Sequence, residues 1–111
     1  MKKIKYLFLF LPFFLAAQIS GKVIKVKDGD TIVVLDGEKQ QHTIRVADID
    51  CPEKKQPFGS KAKWFVSDLI FSKEVYIKRK SIDRYGRVVG YVLFEEKDLS
   101  AELLKNGLAW H

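Results

Sequence analysis

The stretch Val26-Lys27-Asp28-Gly29-Asp30-Thr31-Ile32-Val33-Val34-Leu35-Asp36-Gly37 decides the fold. Asp28-Gly29 is a turn signal that starts a hairpin. Thr31 to Leu35 is β-branched and apolar, which predicts a strand, and Asp36-Gly37 is a second turn. On the N-terminal side, Gly21 to Lys27 alternates, with Ile24 and Val26 apolar against Lys25 and Lys27. On the C-terminal side, Gln41 to Ala47 alternates again, with Ile44 and Val46 apolar. The three strands predict a meander.

Farther out, Pro52 ends the run, and Lys54 to Ser60, with Pro57 and Gly59, reads as a loop. From Ser60 to Ser72 the period changes. Ala62, Phe65, Val66, Leu69 and Ile70 recur at helical spacing, while Lys61, Lys63, Asp68 and Lys73 lie elsewhere. Alternation returns from Glu74 to Lys80. Tyr85-Gly86 turns into an apolar strand, Val88 to Phe94. Asp98 caps a last short helix, Leu99 to Asn106, and Gly107 suits its C-terminal end. This order predicts a mainly β, α+β domain: a five-stranded barrel of the OB type, with a helix between strands three and four.

The chain has 111 residues, room for one domain. Its start reads as a secretory signal peptide: basic Met1 to Lys5, an apolar run from Tyr6 to Ala17, and small residues at Leu15-Ala16-Ala17. The run is shorter than the ~20 residues that span a bilayer, so a retained membrane anchor is the secondary reading. The expected division is a leader over 1–17 and a secreted or periplasmic domain over 18–111. Loss of Lys2, Lys3 and Lys5 lowers the formal charge from +6 to +3. The remaining basic character admits an anionic partner without naming one. The single cysteine, Cys51, excludes an internal disulfide. Its anionic neighbours Asp50 and Glu53 raise its thiol pKa, which argues against cysteine catalysis.

One irregularity bears on chemistry. Arg45 and Asp50 are an odd number of residues apart, so a regular strand puts them on opposite faces. Ile49, however, breaks the apolar parity of Ile44 and Val46. A bulge or bend near Ala47-Asp48 returns Ile49 to the core and brings Asp50 to the side of Arg45. Asp30 and Asp50 are then candidate carboxylates for a hard cation such as calcium, which takes roughly 6–8 oxygens. The absence of a Cys/His cluster argues against zinc. Glu53 is the candidate general base, and Arg45 and Arg87 are candidate phosphate grips. In Asp83-Arg84-Tyr85-Gly86-Arg87, Asp83 and Tyr85 are candidate substrate contacts. Lys54, Lys55, Lys61 and Lys63 form a possible basic rim. His42 and His111 receive no catalytic role, and Trp64 and Trp110 read as core or capping aromatics.

The ordered set resembles the staphylococcal nuclease-like family, over about Gly21 to Trp110. The motifs are Val26-Lys27-Asp28-Gly29-Asp30-Thr31, Arg45 with Asp50-Cys51-Pro52-Glu53, Tyr85-Gly86-Arg87 and Asn106-Gly107-Leu108-Ala109. The resemblance implies an OB barrel and a calcium-dependent phosphodiesterase acting on DNA and RNA. It implies Ca2+ ligation by Asp30, Asp50 and the backbone carbonyl of Cys51, with Glu53 as general base. It also implies Arg45 and Arg87 as phosphate clamps and Tyr85 at a phosphate contact. Single-stranded nucleic acid is the expected partner and a monomer the expected state. The family usually continues past Gly-Leu-Ala into a third helix, whereas this sequence stops at Trp110-His111: either it is a C-terminally truncated fragment or the protein lacks that helix. That departure sustains an alternative, a nucleic-acid-binding OB module that cuts weakly or not at all.

Overall fold

The computed structural model describes residues 18–53, 55–56 and 58–111. The signal-peptide reading falls on residues 1–17, outside the described residues. The elements are β1 (Gln18–Asp28), β2 (Thr31–Asp36), β3 (Gln41–Val46), α1 (Gly59–Ile70), β4 (Glu74–Ile82), β5 (Val88–Phe94), β6 (Lys97–Asp98) and α2 (Leu99–Lys105). The strands are ordered β3-β2-β1-β4-β5-β6, and a parallel pairing of β3 with β5 closes the first five into a barrel. The OB architecture read from the sequence, with its helix between the third and fourth strands, is the one observed.

The long first strand serves both sides of the barrel. Its first half pairs with β4, from Gln18 opposite Lys78 to Lys22 opposite Glu74. Its second half pairs with β2, from Gly21 opposite Asp36 to Asp28 opposite Thr31. The pairing skips Ile24, and this corrects the expected alternation: Val23 and Val26 face the core, and Ile24 is only half-buried. Two inward valines three positions apart need one extra residue between them, and the resulting bulge adds the twist that carries β1 across the barrel. The backbone at the bulge is tied to the end of α1. Val23 donates to the Lys73 carbonyl at 3.0 Å, and its own carbonyl accepts from Ser72 at 2.8 Å.

The core is one cluster. Val23, Ile32, Val34, Ile44, Val46, Ile77 and Val92 fill the barrel, Ala62, Val66 and Ile70 close it from α1, and Leu99 and Leu103 from α2. Asp98 caps α2 by accepting from the Ser100 amide. The β5–β6 hairpin was absent from the sequence reading. Its turn residues Glu95 and Glu96 both take left-handed φ, 49° and 65°, where glycine or asparagine is the usual signal.

Glycines fix two close approaches. Gly29 leaves no room for a side chain: a Cβ there would lie 2.9 Å from Cβ of Ala62 and 2.9 Å from Sγ of Cys51. The Asp-Gly turn is therefore also a packing site, where the β1–β2 loop seats on α1 and on the segment carrying Cys51. At Gly21, where β1 has partners on both edges, a Cβ would lie 2.2 Å from the Leu35 carbonyl oxygen. The obstacle is backbone and cannot rotate away. Gly21→Ala is expected to cost about 1–3 kcal/mol or more as an overpacked site. At about 4–8 °C per kcal/mol for a domain of this size, a calorimetric melt resolves that loss. An unchanged melting temperature would show that β1 does not cross the barrel at Gly21.

Candidate active site

The turn at Ala47-Asp48 builds the site. Asp48 adopts φ 67°, Ile49 returns to the core, and Asp50 emerges beside Arg45. The bend inferred from the parity break is therefore present, made by a left-handed residue. Both neighbours of Asp48 are buried, and its carboxylate binds Lys80 of β4 and the Tyr91 hydroxyl of β5. Those two partners hold the Asp48 carboxyl below its usual range. The Ala47 amide donates to the Gly90 carbonyl at 2.9 Å, and the buried Ser100 hydroxyl donates to the Ala47 carbonyl at 3.0 Å. The turn is thus fixed from β4, β5 and α2.

Arg45 is the hub. Its Nη1 donates to the carbonyls of Val46, at 2.8 Å, and Ile49, at 2.9 Å. Its Nη2 contacts Asp50 Oδ1 and lies 3.5 Å from Asp30 Oδ2. Asp30 is a second junction. Its carbonyl accepts from the Val46 amide at 2.9 Å. Its carboxylate accepts from the Thr31 hydroxyl at 3.1 Å and from the Cys51 amide at 3.1 Å. Asp50 is also held through its backbone, which exchanges hydrogen bonds of 2.8 and 2.9 Å with Trp110.

A pocket of about 230 Å³ opens over these groups, lined by Asp28, Asp30, Thr31, Arg45, Asp50, Cys51, Pro52, Glu53 and Arg87. Six residues read as candidates from the sequence, Asp30, Arg45, Asp50, Cys51, Glu53 and Arg87, therefore share one cavity. Glu53 is exposed. Its amide donates to Oε1 of Gln56 at 2.7 Å, and its carbonyl accepts from the Gln56 amide at 2.9 Å. Asp83 and Tyr85 do not line this pocket. They line an adjoining cleft of about 500 Å³, which shares Arg45, Asp50 and Arg87 with the first and adds Asp48, Arg84 and His111.

The Asp83 carboxylate is occupied within its own loop. Oδ1 accepts from the amides of Tyr85 and Arg87, both at 2.9 Å, and Oδ2 accepts from Arg87 Nε at 2.7 Å. Burial pushes this carboxyl up, but the hydrogen bonds from Arg87 and Tyr85 outweigh it and hold the pKa below the usual 3.8. Asp83 thus orients Arg87, leaving the rest of the guanidinium to face the pocket. The Tyr85 ring is 70% exposed and lies between Arg84 and Arg87, 5.3 and 5.5 Å from the two guanidinium carbons. His42, unassigned from the sequence, sits near the start of β3, three residues before Arg45, and pairs with Asp36 of β2 at 2.8 Å.

The chemistry of the donors suits a hard cation. Burial first, and the Asp30 carboxylate second, push the Cys51 thiol up to about 12, so it stays protonated and is neither a soft ligand nor a nucleophile. Asp50, expected from the sequence to raise the thiol pKa, does so less than burial and Asp30, and Glu53 is not among the causes. What remains is oxygen: four carboxylates against two guanidiniums line the pocket, an excess of two negative charges that a divalent cation balances. Among the described residues no group of three or more His, Cys, Asp or Glu side chains converges on one point, so a cation would complete its shell from backbone, water or substrate.

Asp48, Trp110 and the Asp83–Arg87 clamp were not assigned these parts from the sequence. Only Asp48 left a trace, as the residue inside the parity break. Trp110 acts through its backbone, which its side chain does not announce.

The family described as staphylococcal nuclease homologue matches residues 43–111. The chain is 40% identical over 89 residues to an uncharacterized endonuclease of Haemophilus influenzae, covering 80% of this chain and 50% of the relative. It is 39% identical over 103 residues to a micrococcal nuclease of Shigella flexneri, covering 85% and 59%. It is 38% identical over 105 residues to an uncharacterized endonuclease of Escherichia coli, covering 94% and 68%. The chain spans 50% and 59% of the first two of these relatives. With its barrel, its matching sequence and these relatives, the chain belongs to the staphylococcal nuclease family.

Proposed function

We propose that the protein is a nuclease that hydrolyses phosphodiester bonds in DNA and RNA. The observation that carries this reading is the convergence of Asp30, Arg45, Asp50, Glu53 and Arg87, from separate segments of the chain, on one pocket. Relatives named as endonuclease and micrococcal nuclease support it.

Arg45 and Arg87 bind the phosphate. Each guanidinium is anchored by part of its donor set, Arg45 through Nη1 on two carbonyls and Arg87 through Nε on Asp83. The remaining donors are preorganised for phosphate oxygens, and they stabilise the negative charge that grows there in the transition state. Glu53 takes the proton of the attacking water. Its exposed carboxylate belongs to the same pocket wall, and Gln56 fixes its backbone. Asp30 and Asp50, with the Cys51 carbonyl, would hold Ca2+, which supplies Lewis-acid stabilisation of the phosphate and a more acidic water. Tyr85 presents an exposed ring beside both arginines, suited to a phosphate or a base of a single strand. With the leader removed, the domain would act outside the cytoplasm as a monomer.

Glu53→Gln is expected to lower cleavage of single-stranded DNA by about 10²–10⁴-fold while leaving binding of the strand in place. Addition of a chelator is expected to abolish cleavage, and calcium to restore it. Equal product formation by the unmodified protein, by Glu53→Gln and in chelator would sink the mechanism. Strand binding with no calcium-dependent product at all would favour the non-cutting module.

Asp83→Ala is expected to free the Arg87 side chain and expose the loop amides. Hydrogen exchange at Tyr85 and Arg87 should accelerate, and cleavage should fall through the loss of the Arg87 anchor. In the unmodified protein the clamp is complete above the usual carboxylate value of 3.8 and is lost as pH falls through the lower folded-state value. Exchange protection that is unchanged in the variant, or in the unmodified protein once Asp83 is protonated, would refute the clamp.

A further inference from the structure

The start of α1 carries a feature that neither the core nor the pocket explains. Phe58 is the residue before the helix, with φ 69°, no side-chain cap and a ring 66% exposed. A bulky residue is strained in the left-handed region, and phenylalanine is not a favoured cap. Burial does not compensate. Trp64, read from the sequence as a core or capping aromatic, is instead 60% exposed on the outer face of the helix. A lysine accompanies each ring: Lys61 Nζ lies 5.8 Å from the Phe58 centroid, and Lys63 Nζ 5.4 Å from the Trp64 centroid. Lys61 is exposed and Lys63 half-buried, and Lys55, exposed, stands between Glu53 and Phe58 in the sequence. Among the described residues none of these lysines is paired with a carboxylate. Asp68, an exposed carboxylate of the same helix, follows one turn beyond Trp64.

We propose that Phe58, Lys61, Lys63 and Trp64 form a track that binds single-stranded nucleic acid beyond the pocket. Exposed rings offer faces on which bases stack without regard to sequence, and unpaired ammonium groups beside them meet the phosphates. The charge of the face favours a polyanion over an apolar protein segment. Continuity with the site is built into the chain. Glu53 on the pocket wall bonds Gln56, the Gln56 carbonyl accepts from the Gly59 amide at 2.9 Å, and Ala62 lies under the Gly29 turn. Phe58 is five residues from Glu53, a span of at most about 18 Å. Trp64 lies about 9 Å farther along the helix. At the stacked spacing of about 3.4 Å per nucleotide, a strand of about eight nucleotides reaches from the pocket to Trp64. The track uses the nucleic-acid reading of the pocket to fix where the strand starts, but its binding does not require that the pocket cut.

The test uses the full chain carrying Glu53→Gln, with fluorescein-labelled deoxythymidine strands of three and twelve nucleotides. Trp64→Ala and Phe58→Asn, the latter chosen because asparagine tolerates left-handed φ, are each expected to weaken the twelve-mer about ten-fold and leave the three-mer unchanged. Lys61→Gln with Lys63→Gln should reduce the salt slope of twelve-mer binding by about 1.4. With Glu53 restored, Trp64→Ala should leave hydrolysis of the three-mer at its original rate. If no strand is cut but twelve-mer binding still depends on Trp64, the nuclease reading fails and the track stands. Twelve-mer affinity indifferent to Trp64 and Phe58 would overturn the track, as would equal loss for both lengths. A change in oligomeric state on Trp64→Ala, with strand binding intact, would overturn it in favour of a protein interface.

Discussion

Arg45 is the constraint on which the functional end of the molecule depends. It sits on β3, the strand that closes the barrel against β5, directly opposite Val89. Its side chain turns back along its own segment to the carbonyls of Val46 and Ile49 and reaches Asp30 and Asp50. Removing it would take away the guanidinium that both Asp30 and Asp50 contact and the side-chain donor to the Val46 and Ile49 carbonyls. Asp50 is more than half exposed, so the ion pair alone adds little stability. The greater contribution is geometric: one planar donor fork fixes the distance between the β1–β2 turn and the segment after β3. Charge-assisted bonds from a rigid fork are well suited to that task.

Around this hub the chain uses backbone irregularities where a regular barrel would misdirect the side chains. A continuous β3 would bury Asp50 or expose Ile49, and the left-handed Asp48 resolves the conflict. The cost of that conformation is offset by Lys80, Tyr91, Ser100 and Gly90, which come from elements that already pack together. The same logic applies at Ile24, where a bulge lets one strand serve two neighbours. In both places a core residue out of phase marks the irregularity.

That is also why some features were legible in the sequence and others were not. Apolar parity is a record of which side chains are buried, so it revealed the strands, α1 and the turn before Asp50. It misassigned Ile24 because Val23, Ile24 and Val26 are all β-branched and apolar, and composition does not say which one the bulge ejects. The Glu95-Glu96 turn escaped because its left-handed residues are not those that favour such a turn. Trp110 contributes two backbone hydrogen bonds to Asp50 and none through its ring, so no pattern of side chains encodes it. The motif residues Asp30, Arg45, Asp50, Glu53 and Arg87 were visible as types. That Asp83 spends its carboxylate on Arg87 was not, since an acceptor for substrate and an acceptor for a neighbour have the same letter.

The charge of the site sets the order in which its parts can act. The pocket carries four carboxylates and two guanidiniums, so a phosphate approaching the bare site meets an excess of negative charge. Among the described residues no lysine lines this pocket; Lys55 lies on the loop after Glu53, and Lys61 and Lys63 lie on α1. At physiological salt the screening length is about 8 Å, so under the proposed track each lysine would act chiefly on phosphates near it. Under the proposed reading, attraction of a strand and neutralisation of the reacting phosphate would be separate tasks on separate surfaces. A barrel that supplied its positive charge inside the pocket would bind phosphates without a cation and would lose the demand for one. This pocket keeps an excess of carboxylate that its guanidiniums offset only in part, and under the proposed mechanism a bound cation would supply the rest.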